Sequence, residues 1–118
     1  MHGIASKLIE IQVQLRFYHW QTKSFARHEA FGKTYEAMDG LIDEFVEVFM
    51  GKYGRVPAMP INPVNINEKN ASQFIDETVA FLIALSNGLD EDRDTDLLNI
   101  RDEMVALFNK LRYLLTLK

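Results

Sequence analysis

All three prolines of this chain, Pro57, Pro60 and Pro63, fall within one short stretch. A proline locks its own φ, lacks the N–H that a helix needs and pushes the preceding residue out of the helical region. Residues 57–65 are therefore expected to be extended and non-helical. The chain on either side is free of prolines, and there its apolar residues recur at helical intervals.

Ile4, Leu8, Ile11, Leu15 and Tyr18 form one face of a helix, A, over about residues 3–22. A second stripe, Ile9, Val13, Phe17 and Trp20, lies beside it. Ser24 is placed to cap helix B, over about 25–53, whose stripe is Phe31, Tyr35, Met38, Ile42, Phe45 and Phe49. A stretch bearing Gly51 and Gly54 ends it. Asn70, with Gln73 three residues on, has the pattern of a capping box before helix C, over about 71–87. The acidic turn Asp90 to Asp96 leads into helix D, over about 94–117, with Leu97, Met104, Phe108, Leu111 and Leu115 as its core stripe. Extended, the sixteen residues 55–70 reach about 50 Å, whereas helix B is about 40 Å long. The connection can travel the length of a bundle, which makes B and C parallel neighbours. Two short connections and one long crossover predict an all-α fold, a ferritin-like four-helix bundle in a single domain over residues 1–118.

Composition narrows the function. At 118 residues, 47% hydrophobic and 25% charged, this is an ordinary globular domain. The absence of cysteine excludes disulfides, thiolate zinc sites, iron–sulfur clusters and cysteine nucleophiles. A net charge of −4 and the lack of a lysine-rich arm argue against nucleic acid as a partner. The apolar runs are too short to span a membrane, and Met1-His2-Gly3-Ile4 lacks the basic and apolar regions of a secretion signal. A soluble, cytoplasmic protein is expected. The run Asp90 to Asp96 fails as a calcium loop, because its sixth position is Thr95 and its twelfth Arg101; it reads as a solvated turn and helix cap. The aromatic residues are all assigned to core stripes, leaving no platform for a nucleobase.

His19 follows Leu15 by four residues on the core-facing stripe of helix A, and His28 precedes Phe31 by three at the edge of the stripe of helix B. Neither is preceded by a glutamate three residues earlier; those positions hold Arg16 and Phe25. A conventional di-iron centre within one chain is thereby disfavoured. At about 100° per residue, His28, Gly32, Asp43 and Glu47 lie toward one flank of helix B, yet His28 and Asp43 are about 22 Å apart along its axis. They meet only if two B helices pack antiparallel across a two-fold axis near residues 35–38, where Gly32 and Gly40 would let the backbones approach. Histidine and carboxylate donors suit iron, manganese or zinc. The plainer alternatives are histidines satisfied at a bundle edge and, for Asp43 and Glu47, a solvated helix face.

His19-Trp20, His28-Glu29-Ala30-Phe31, the pair Asp43 and Glu47 at 15 and 19 residues beyond His28, and Asp94-Thr95-Asp96-Leu97-Leu98 together resemble the Dps family of miniferritins. The resemblance implies an iron(II)-oxidising ferroxidase site between two-fold-related subunits, with His19, His28, Asp43 and Glu47 as metal ligands and Trp20 beside them. It implies iron, alternatively zinc or manganese, and a homodimer or larger homo-oligomer. The chain departs from the family at Gly32, where the family carries an aspartate, and in its shorter spacing between the two histidines. It also lacks the family's basic tail. Such reduction suits the small ferritin-like proteins of phages and other viruses. A non-catalytic bundle acting as an oligomerisation or interaction module is the alternative.

Overall fold

The computed structural model describes residues 3–62 and 70–118. Among these are four α-helices and no strand: α1 (Ile4–Gln21), α2 (Phe25–Tyr53), α3 (Ala71–Ala84), which tightens into a 3₁₀ turn over Leu85–Gly88, and α4 (Thr95–Leu114). The expected 25–53 is met to the residue. The first helix and α4 are shorter than expected, because the chain unwinds past Gln21 and Leu114. Ser24 caps α2 as its position suggests, its Oγ accepting from the Arg27 N–H at 3.2 Å. The capping box at Asn70 does not form: the Asn70 side chain makes no cap bond, and Gln73 donates instead to Glu77 one turn on, at 2.9 Å.

Leu8, Leu15 and Tyr18 of α1, Phe31, Met38 and Phe45 of α2, Leu82 of α3, and Leu97, Met104, Phe108 and Leu111 of α4 are fully buried. The second stripe of α1 is no core stripe, since Ile9 and Trp20 are exposed. Nor are the aromatics all internal. Trp20, Phe25, Tyr53 and Tyr113 lie largely in solvent. An aromatic series crosses the core from α2 to α4. Phe31 stacks on Tyr18 (5.3 Å between centroids), and Tyr18 meets Phe74 edge-on (5.6 Å), as Phe74 meets Phe108 (5.9 Å).

Close helix packing runs α1 on α2, α2 on α4 and α3 on α4. The C-terminal end of α2 meets the start of α4, where Lys52 bonds Asp96 and Tyr53 bonds Asp94. Tyr18, late in α1, meets Phe74, early in α3. Each of these adjacent pairs is thus antiparallel. It follows that α2 and α3 are parallel but diagonal, not neighbours as expected. On the far side of the core from α2, α3 packs on α4 rather than beside α2. The chain leaving α2 is tied to α1: Met59 N–H donates to Ser6 Oγ (2.8 Å) and Asn62 N–H to Glu10 Oε2 (3.1 Å). Burial pushes the Glu10 pKa up, but the bonds from Asn62 and Lys7 outweigh it and hold the carboxyl below its ordinary value. The expected crossover over 55–70 lies partly outside the described residues.

The acidic turn is only partly solvated. Asp94 is 1% exposed and accepts from Tyr53 Oη (2.5 Å), from the Asp90 N–H (2.8 Å) and from Lys52 Nζ (3.1 Å). This carboxylate joins the end of α2 to the start of α4.

Candidate functional site

The turn between α1 and α2 is only Thr22-Lys23-Ser24, so the last turn of α1 and the first of α2 lie side by side. His19 and His28 face each other across it. Their rings stack with centroids 3.9 Å apart and planes 17° from parallel. His19 Nδ1 lies 2.7 Å from the backbone oxygen of His28, and His28 Nδ1 lies 2.8 Å from the backbone oxygen of His19. A carbonyl oxygen can only accept, so each Nδ1 carries the proton and donates, and in the neutral ring Nε2 keeps the lone pair. The His19 carbonyl sits in the last turn of α1, where the helix supplies no N–H for it. The His28 ring caps it.

Gly32 makes room for this arrangement. A Cβ built there would stand 2.8 Å from Cε1 and 2.9 Å from Nδ1 of His19. The ring lies on the α2 backbone in the space a side chain would fill. Gly32 therefore serves a contact within its own chain. Beside Gly40 there is open space. The His19 ring, nine residues before His28, is seated where a side chain at position 32 would be.

Beside the pair, Arg16, His19, Trp20, Gly32, Tyr35 and Glu36 line an open cleft of about 260 Å³. Trp20 is 59% exposed and packs edge-on against Phe17. The Arg16 guanidinium lies over the Tyr35 ring at 4.1 Å and near the Trp20 ring at 5.4 Å. The sequence pattern puts Tyr35 in the core stripe of α2 and gives Arg16 and Glu36 no part in the site. Their signal was spacing, since Arg16 is one turn before His19 and Tyr35 and Glu36 are one turn after Gly32.

Asp43 and Glu47 lie on the exposed surface of α2, far from both histidines. No group of three or more metal-ligating side chains converges among the described residues. Imidazoles pinned through Nδ1 to backbone carbonyls are of the kind that ligate metals through Nε2. Here the two residues that would hold an ion are His19 and His28, each through Nε2, so one chain supplies two imidazole donors and any carboxylate donor would have to come from elsewhere.

Residues 19–115 match DUF5856, a family of unknown function. The chain belongs to this family. The match begins at His19 and takes in the histidine pair, Gly32, Asp43 and Glu47. The DUF5856 chain is also 27% identical over 116 residues to an uncharacterized 14.6 kDa protein of the mobD-ri intergenic region of Enterobacteria phage T4, covering 94% of this chain and 84% of that protein. A phage relative is compatible with the viral type expected from the reduced sequence. No solved structure matches the chain. None of its described helices is long and apolar enough to cross a membrane.

Proposed function

We propose that this DUF5856 protein is a ferritin-like, Dps-related bundle that binds a divalent metal between two-fold-related copies. His19 and His28 of one chain and Asp43 and Glu47 of its partner would be the ligands. Iron is the metal the resemblance favours, with zinc or manganese as the alternatives of similar donor preference. With iron(II) as substrate, the reaction would be its oxidation by dioxygen or peroxide. The observation that carries the reading is the histidine pair, in which both Nδ1 atoms are fixed by carbonyls and each Nε2 is left as the coordinating nitrogen. The exposure of Asp43 and Glu47 leaves them available to a second chain.

A second reading has its own support. The two rings already satisfy each other's backbone, and Gly32 contributes no carboxylate. On that reading the pair is a clasp, and the protein is a non-catalytic helical bundle acting as an oligomerisation or interaction module.

Anaerobic iron(II) titration, with the mass in solution measured by light scattering, separates the two. The metal reading requires saturable binding near one iron per chain in a dimer or larger assembly, lost in both His28→Ala and Glu47→Ala. A monomer, or binding that survives either substitution, refutes it. An oligomer without binding leaves the second reading standing.

A further inference from the structure

The clearest polar irregularity in this protein lies away from the histidines. Tyr18 is wholly buried, and among the described residues its hydroxyl has no hydrogen-bond partner. Burying a hydroxyl without a partner forfeits its bonds to water, so such groups are rarely left unmet. Tyr18 lines a cleft of about 230 Å³ between α1 and α3, the one adjacent pair of helices that do not pack closely. Aromatic contacts hold the helices apart at each end: Tyr18 against Phe74, and the Lys7 ammonium 5.8 Å from the centre of the Phe81 ring.

Between these ends the cleft is polar, with Lys7, Glu10 and Gln14 on one wall and Gln73 and Glu77 on the other. Lys7 and Asn62 already engage Glu10. Glu77 accepts from Gln73 through Oε1. Among the described residues that line it, two carboxylates stand against one ammonium, a net charge of −1. A phenol is protonated near neutrality and here needs an acceptor. The exposed carboxylate of Glu77 on the opposing wall attracts a cationic donor. The volume has room for several water-sized groups, hence for a molecule of a few heavy atoms.

We propose that the α1–α3 cleft binds a small organic ammonium bearing an oxygen on a neighbouring carbon, as in an amino alcohol. Its oxygen accepts from the Tyr18 hydroxyl, and its ammonium faces Glu77. The site lies on a different face of α1 from His19 and does not depend on the metal reading.

The probes are ethanolamine, ethylamine and ethylene glycol, titrated into the ¹⁵N-labelled full chain and followed by amide shifts. Ethylamine lacks the oxygen and ethylene glycol lacks the charge. Saturable shifts on the facing turns of α1 and α3 are expected with ethanolamine, about tenfold weaker with either analogue, the value of one hydrogen bond or one screened charge contact. Tyr18→Phe should lose the preference for ethanolamine over ethylamine. Glu77→Gln should lose the preference for ethanolamine over ethylene glycol. Equal responses to all three probes, no saturation, or a Tyr18→Phe chain that binds as the original does would overturn the proposal and leave water as the occupant.

Discussion

His19 and His28 hold each other's main chain: each ring donates to the backbone carbonyl of the other residue while the two rings stack. Because the acceptors are backbone, replacing one ring leaves the other's acceptor in place. His19→Ala and His28→Ala should each cost about 1 kcal/mol, the usual net worth of a hydrogen bond. The double mutant should cost nearly the sum, with only the stacking contact as coupling. Urea unfolding of the three variants checks this, and a coupling as large as either single loss would contradict it.

Gly32→Ala sets two similar quantities against each other. Alanine in a helix interior gains about 1 kcal/mol over glycine. The added Cβ displaces the His19 ring, and its bond to the His28 carbonyl is worth about the same. Net stability should hardly change while the His19 ring resonances move. An unmoved ring in the NMR spectrum of this variant would show that the contact is not as tight as described.

The clamp at Asp94 predicts the acid side of the stability profile. The Tyr53 hydroxyl, then the Asp90 N–H, then Lys52 hold the Asp94 carboxyl below its ordinary value. Asp96 is lowered too, chiefly by its bond from Lys52. A folded-state pKa below the unfolded one contributes stability above the ordinary carboxylate range, which is lost as the pH falls through the folded value. Asp94→Asn should lower the melting temperature at neutral pH and flatten its fall in acid. Tyr53 works in the opposite direction. Its bond to Asp94 first, and then burial, raise its pKa, so its contribution fades on the alkaline side of the ordinary tyrosine range. Melting curves of Asp94→Asn and Tyr53→Phe from acid to alkaline pH test the two limbs.

At the centre of the bundle, Phe45 of α2 and Phe108 of α4 are fully buried. Truncation of either to alanine should cost about 3–5 kcal/mol. That is a large share of the stability of a domain this size. Chemical denaturation would register it as a lower midpoint, and a loss below about 1 kcal/mol would mean that the core collapses around the gap.

The local features of this fold were legible in the chain because they depend on near neighbours. The stripe from Ile4 to Tyr18, the serine before Phe25 and the confinement of proline to residues 57–63 set three helix boundaries and the crossover through periodicity, capping and backbone sterics. The inability of His28 and Asp43 to meet in one chain followed from helix rise alone.

What depended on tertiary contact was not legible. Spacing placed Gly32 on a flank but could not say that an imidazole from another helix would occupy it. Composition marked Asp94 as one acid among several in a turn, whereas the meeting of α2 with α4 buries it under Tyr53 and Lys52. The crossover length showed that α3 could run parallel to α2, but which side of the core it took was decided by packing. Helical periodicity reports which face of each helix is apolar. The identity of the neighbour facing it arises only when the helices assemble, because that is where side chains distant in sequence compete for the same space and the same hydrogen-bonding groups.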